Sequence, residues 1–221
     1  MKFSKAIITA GPTREWIDPV RFISNASSGK MGHSIAGHLA TWIDNVVYIH
    51  GNVCSEYRSV PGARSIAIET TSDLKESVLS ELNDSALLIM AAAPADFRPA
   101  SPQNQKIKKE VEANPVLSLE KNPDILLAVA EYIKQKNLQG VSRIGFAAET
   151  ENIEEHALDK LKRKNLDMII ANKVFKNSEG FGDISTEIFV YSKHGLENQF
   201  SGNKNDAGKF ISDLLQAKYY A

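Results

Sequence analysis

Cysteine is nearly absent from this chain. Cys54 stands alone among 221 residues, so no disulfide can form within it. Apart from Arg58, nothing beside Cys54 marks it as an activated nucleophile. Charge of one sign is absent too. The 26 lysines and arginines against 27 acids leave a net charge of −1, which argues against a nucleic-acid binder with a basic stripe. No apolar run approaches the ~20 residues a membrane helix needs. The N-terminal MKFSKAIITAG lacks the length of a signal-peptide core. These absences lead us to expect a cytoplasmic protein with no membrane and no nucleic-acid partner. Zinc-ligand spacing and a G-x-S-x-G elbow are also missing. The histidines His33, His38, His50, His156 and His194 are scattered, without evident partners, and read as surface or packing residues.

What is present is ordinary in bulk and ordered along the chain. Apolar residues make up 43% and charged residues 24%, enough for one domain with a sizeable core. Strand-like runs near 6–10, 46–49, 65–69, 86–91, 143–147 and 168–171 alternate with helical patterns at 32–42, 72–82, 124–136, 153–164 and 206–219. Several of these runs are apolar without alternation, the pattern of parallel strands buried on both faces. Ser72 is a candidate cap for the second helix. Asn122-Pro123-Asp124 offers Asn as cap and Pro in the first turn of the third. The expected fold is a single α/β domain, a Rossmann-like three-layer sandwich with a mainly parallel sheet. Its ligands would bind at the carboxyl ends of the strands. Residues 99–115, polar and bounded by prolines, read as a mobile lid loop. Residues 116–120 and 187–191 read by alternation as added strands, both as antiparallel additions.

Four motifs carry chemistry. The first runs from Ile7 to Gly32, IITAGPTREWIDPVRFISNASSGKMG, where a strand leads through a polar loop to Ser27, Ser28, Gly29, Lys30 and Gly32 at a helix N-terminus. Bare N–H groups and the positive helix end attract anions there. A P-loop would need Gly at Ser24 and Ser or Thr at Met31, and the closely spaced glycines of a dinucleotide fingerprint are missing. Arg14, Arg21 and Asn25 lie in the loop. The second motif is Ala91–Arg98, AAAPADFR, read either as small residues that let a flat ring lie against the backbone or as a tightly packed strand end with Asp96 as a turn or cap residue. The third is Lys106-Ile107-Lys108-Lys109, either a solvated face or a lid cation that meets a phosphoryl group. The fourth is the strand end Gly145–Thr150, with Lys160 and Lys164 sharing the face of the next helix. Taken together, the four suggest a triphosphate clamp.

The segments ITAGPTREWIDPVRFISNASSGKMG, AAAPADFRPA, QKIKK, KNPDIL, GFAAETEN and KLKRKNLDMIIANKV, with GFG at Gly180–Gly182, span nearly the whole chain. In this order they resemble the phosphopantothenate–cysteine ligase family of coenzyme A biosynthesis, in its free-standing bacterial form. The resemblance implies a Rossmann-like homodimer and a two-step reaction. 4′-Phosphopantothenate first attacks the α-phosphate of CTP, accompanied by Mg²⁺, to give an acyl-cytidylate and pyrophosphate. The amine of L-cysteine then displaces CMP.

The resemblance also implies roles for residues. Asn25 would hold the acyl-nucleotide, with Arg21 nearby, and Lys106 would be the lid lysine of the first step. Ala91, Ala92, Asp96, Pro123, Asp124, Ile125, Leu126, Phe146, Lys160 and Lys164 would bind the nucleotide, together with Lys106. Ser27, Gly29 and Gly32 would grip the substrate phosphate. Metal ligands are not implied. Pro94 and Ala26 depart from the family pattern, and Pro94 touches the choice of nucleotide. The rival readings are an NAD(P)-dependent oxidoreductase and a non-catalytic nucleotide-binding module. The oxidoreductase lacks its fingerprint, and after Val46–Ile49 the chain runs into His50-Gly51-Asn52 instead of an acid. A sensor would have no need of Asn25 or a lid lysine.

Overall fold

The computed structural model describes residues 2–108, 116–173 and 185–220. Lys109, the expected lid residues 110–115 and the Gly180–Gly182 motif lie outside the described residues. In chain order the strands begin with β1 (Lys5–Ala10), β2 (Arg14–Asp18) and β3 (Arg21–Ser24). Helix α1 (Lys30–Leu39), β4 (Val46–His50), β5 (Ala63–Ala67) and α2 (Thr71–Glu81) follow. Next come β6 (Ala86–Met90), β7 (Phe97–Pro99), β8 (Leu119–Lys121) and α3 (Ile125–Lys136). The chain continues with β9 (Ser142–Glu149), α4 (Ile153–Arg163), β10 (Met168–Lys173), β11 (Thr186–Ser192), β12 (Gly195–Gly202) and α5 (Lys204–Tyr220).

One eight-stranded sheet runs in the order β12-β11-β10-β9-β6-β1-β4-β5. Its pairs are parallel from β5 to β10 and antiparallel at β10–β11 and β11–β12. The flat apolar strands are explained by cover on both faces. Ala6, Ile8, Tyr48, Leu87 and Ile89 pack in a core with Ile35, Leu39, Ile211 and Leu215 of α1 and α5. Ile7, Val47, Ile49 and Leu88 pack on the other face with Leu74, Val129 and Leu161 of α2, α3 and α4. Each buried valine, leucine or isoleucine among them contributes about 1.5–3 kcal/mol. The sheet is thus the middle layer of a three-layer sandwich, as the alternation predicts.

Several boundaries and caps differ from the sequence reading. Thr70, not Ser72, caps α2, because its side chain and that of Asp73 close a reciprocal capping box. Asp124, not Asn122, caps α3 by accepting from the Leu127 N–H. The strand read at 65–69 lies at Ala63–Ala67 as β5, two residues earlier. Leu119–Lys121 pairs with Phe97–Pro99 as a separate small ribbon and does not join the main sheet. The polar stretch 13–28 is no simple loop. It holds the β2–β3 hairpin, closed by Trp16 edge-on to Phe22 at 5.2 Å.

From β1 the chain passes to β4 on one side, and from β6 it passes to β9 on the other. The chain therefore switches direction between β1 and β6, and a crevice opens beyond their carboxyl ends.

Candidate active site

A cleft of about 680 Å³ occupies this crevice. Of the residues read from sequence, Asn25, Ser27, Gly29, Gly32, Ala91, Ala92, Asp96, Pro123, Asp124, Ile125, Leu126, Phe146, Lys160 and Lys164 all line it. The first, second and fourth motifs, together with the segment 122–126, are thereby brought to one place by the topology.

The glycine turn forms one wall. Gly29 sits at the N-cap of α1 with φ of 78°, and a Cβ there would lie 2.5 Å from Val53 Cγ1. A Cβ on Gly32 would lie 2.7 Å from the Thr9 carbonyl oxygen. Glycine is needed at both positions, at the first for its left-handed backbone and at both for close packing. The N-cap Gly29 has no side chain to cap this helix, Ser28 Oγ accepts from the Lys30 N–H at a long 3.4 Å, and no acid stands in the first turn; the positive end, with Gly29 and Lys30, lines the cleft.

The small-residue strand end forms the floor, and buried polar groups fix its backbone. The Ala92 N–H donates to Thr9 Oγ1 at 3.1 Å, the Ala93 N–H to the Gly11 carbonyl at 2.9 Å, and the Ala95 N–H to Thr13 Oγ1 at 2.9 Å. Thr13 meets Thr71 at 3.0 Å, and Thr71 donates through N–H and hydroxyl to buried Glu15 at 2.8 and 2.7 Å. From the other side Asn122 Nδ2 donates to the Ala95 carbonyl at 2.9 Å, and the Asn122 N–H to the Asp96 carbonyl at 2.9 Å. Asn25 Nδ2 donates to the Pro94 carbonyl at 2.9 Å, which ties the glycine-turn side to this floor. With its amide donors so turned, the Asn25 carbonyl oxygen remains for an acceptor role in the cleft.

The far wall is cationic. Lys160 Nζ donates to the Phe146 carbonyl at 2.7 Å. Burial first, and then the neighbouring Lys164 charge, pull its ammonium below the ordinary lysine value, against the opposing pull of Glu149, Asp124 and Asp96. Lys164 pairs with Asp124 at 2.6 Å. Burial would raise the Asp124 carboxyl, but the Lys164 bond and the Leu127 N–H outweigh it and hold it below 3.8.

Two expected catalytic residues lie outside the cleft lining. Arg21 turns to Asp18 at 2.8 Å and donates to the Ile107 carbonyl at 3.3 and 3.4 Å. The Ile107 N–H donates to Asp18 Oδ2 at 3.2 Å, and the Gln103 N–H to the Ile17 carbonyl at 2.8 Å. Asp18 is only 1% exposed. Burial raises its carboxyl, yet the N–H donors of Val20 and Ile107 and the Arg21 charge together leave it below the ordinary value. Arg21 and Asp18 thus fasten the stem of the lysine-bearing segment to the hairpin, and Lys106 stands exposed beside that clasp.

Lys204, Asn172 and Lys30 also line the cleft, and sequence reasoning gave Lys204 and Asn172 no role. Lys204 opens α5 behind the cap Asn203, whose Oδ1 accepts from the Asp206 N–H at 2.9 Å. That Asn-x-x-Asp start was readable as a helix signal, but its position at the cleft was not. Among the described residues, no group of three His, Cys, Asp or Glu side chains could hold a metal ion. No helix formed by the described residues is long and apolar enough to cross a membrane.

The chain is similar along most of its length to known proteins. The coenzyme A biosynthesis bifunctional protein CoaBC of Bacillus subtilis (strain 168) is 40% identical over 193 residues, 87% of this chain and 46% of that protein. CoaBC of Escherichia coli (strain K12) is 35% identical over 221 residues, covering 99% of this chain and 53% of that one. The chain spans about half the length of these curated relatives. A crystal structure of the C-terminal domain of CoaBC superposes with a TM-score of 0.73 at 31% identity, covering 97% of this chain and 94% of that one. The model of the DNA/pantothenate metabolism flavoprotein C-terminal domain matches residues 1–218, and the chain belongs to that family.

Proposed function

We propose that this chain is a phosphopantothenate–cysteine ligase, which joins 4′-phosphopantothenate to L-cysteine through an acyl-cytidylate in coenzyme A biosynthesis. The observation that carries the reading is one cleft lined by Asn25, the glycine turn at the start of α1, the strand end Ala91–Asp96, and Lys160 and Lys164. A carboxylate is a poor acyl donor because oxide is its leaving group, and a mixed anhydride with a nucleotide cures this. The carboxylate oxygen attacks the α-phosphorus and pyrophosphate leaves. The cysteine amine then attacks the acyl carbon, CMP leaves with the anhydride oxygen, and the ammonium proton passes to solvent.

The chain's own groups supply positioning and charge. The Ala91–Asp96 floor takes the base, and Lys160 and Lys164 take phosphate oxygens. Asn25 holds the acyl-nucleotide through its amide. Lys106 is the proposed cation for the phosphates in the first step, supported by its place in the QKIKK motif. Mg²⁺ favours phosphate oxygens and water with one or two carboxylates, and Asp96 in the cleft is of that donor type. When bound, the ion offsets charge on the departing pyrophosphate. CTP is the proposed nucleotide, supported by the bacterial character of SNASSGKMG and AAAPAD.

A homodimer completes the proposal. Val20 and Phe22 on the β2–β3 hairpin and Phe97, Leu117 and Leu119 around the β7–β8 ribbon are exposed, an arrangement suited to a second copy. The test is turnover with phosphopantothenate, cysteine and Mg²⁺, comparing CTP with ATP. CMP release that depends on cysteine, and exceeds AMP release, is expected. Release of neither nucleotide would overturn the assignment.

A further inference from the structure

We propose that Glu15 is a positioning residue for the nucleotide: through a one-way hydrogen-bond relay over Thr71 and Thr13 it fixes the Ala95 peptide of the cleft floor. The inference rests on the reading above that this floor takes the nucleotide base, and it gives a role to a buried acid that had none in the sequence.

Glu15 is only 5% exposed, and Thr13 and Thr71 are wholly buried. Burying a carboxyl group is costly unless donors meet it. One of its oxygens, Oε1, takes both donors of Thr71, the N–H at 2.8 Å and the hydroxyl at 2.7 Å. Thr71 is the first residue of α2, so that N–H is one the helix leaves bare, and the positive helix end meets the same acid. One residue earlier the Arg14 N–H donates to the Glu69 carbonyl at 2.7 Å, so hairpin and helix start form one frame around Glu15.

That frame gives the hydroxyls a direction. Thr71 has one hydroxyl hydrogen, and Glu15 at 2.7 Å takes it in preference to the Ala95 carbonyl at 3.4 Å. Toward Thr13, 3.0 Å away, Thr71 Oγ1 is then left to accept, so the Thr13 hydroxyl donates. The Thr13 lone pairs are thereby free for the Ala95 N–H at 2.9 Å. Asn122 follows the same order. Its Nδ2 donates to Thr71 Oγ1 at 3.3 Å and to the Ala95 carbonyl at 2.9 Å, while its Oδ1 is buried without a partner. The Ala95 peptide is thus held at its N–H and at its carbonyl by groups that all depend on Thr71. Thr71, Ala95 and Asn122 line the cleft, so a shift of this peptide reaches the surface on which the base lies. The glycine turn stands outside the relay.

Two measurements on the full chain test this: native-state hydrogen exchange at single amides, and equilibrium binding of CTP and of 4′-phosphopantothenate by calorimetry. Glu15→Met fills the space without an acceptor, Thr71→Val keeps the shape without the hydroxyl, and Glu15→Gln keeps the accepting oxygen. In the first two variants, exchange at Ala95 should quicken by about tenfold and CTP binding should weaken by about tenfold. The Ala92 N–H, held by Thr9 outside the relay, should exchange as before, and phosphopantothenate binding should be unchanged. Glu15→Gln should restore both readouts. Joining Glu15→Met to Thr71→Val should cost no more than the worse single change, since both cut the same relay. Unchanged Ala95 exchange in Glu15→Met would overturn the proposal. So would equal quickening at Ala92, the mark of general loosening, or equal weakening of both ligands. Thr71→Val carries the same test if Glu15→Met does not fold. If Ala95 exchange follows Glu15 but the wild-type chain binds no CTP, the nucleotide reading fails and the relay stands.

Discussion

At the residue scale, Asn25 is the side chain whose geometry says most about the chemistry. Its amide donors are committed to the floor backbone at Pro94 and, more weakly at 3.4 Å, Ala93. Asn25→Asp replaces those donors with carboxylate oxygens facing carbonyl oxygens, and on the proposed reaction it also sets a negative charge beside the acyl-nucleotide. Amide formation should slow by about tenfold to a hundredfold more than pyrophosphate release. Rapid-quench measurement of both half-reactions checks this, and equal slowing would remove the specific role. Asn25, Asp96 and Lys160 were legible because each sits in a motif with a chemical reason for its neighbours. Lys204 was not. With 26 lysines and arginines in the chain, one more at a helix start carries no signal until the topology brings it to the cleft.

At the element scale, the β2–β3 hairpin was hidden by its composition. Its strands are short and polar, and a bulge between Trp16 and Asp18 breaks the period that would have revealed them. Its structural work is to carry the Asp18–Arg21 clasp that holds Ile107. Arg21, which the resemblance set beside the acyl-nucleotide, is thereby placed at the lid stem. Asp18→Asn keeps the side-chain size but removes the charge opposite Arg21. The stem should open more often, and trypsin cleavage at Lys106 and Lys108 should quicken by about tenfold at an unchanged global melting midpoint. Cleavage at the wild-type rate would show that the clasp does not restrain the segment.

At the scale of the whole molecule, the central sheet was legible because parallel strands covered on both faces leave flat apolar runs. The edge strand β12, GLENQFSG, was not, since it is polar, half-exposed and paired on one side only. The same fold sets the response to acid. Burial would raise the carboxyls of Asp73, Asp124, Glu81 and Glu197, but hydrogen bonds and ion pairs outweigh it and hold all four below their ordinary 3.8 and 4.5. Groups depressed on folding add stability that is full above their unfolded values and fades as pH falls through the folded ones. The urea midpoint should therefore fall steadily below about pH 4.5. A midpoint that is flat or rising from there to about pH 3 would contradict these pairings.

The central claim is that this cleft turns a carboxylate into an acyl-nucleotide. Its most direct test is a single turnover with phosphopantothenate whose carboxylate oxygens are both isotopically heavy. Attack on the α-phosphorus predicts one heavy oxygen in the phosphate of the released CMP and the other in the amide product. Heavy oxygen in pyrophosphate or orthophosphate, with none in CMP, would contradict it.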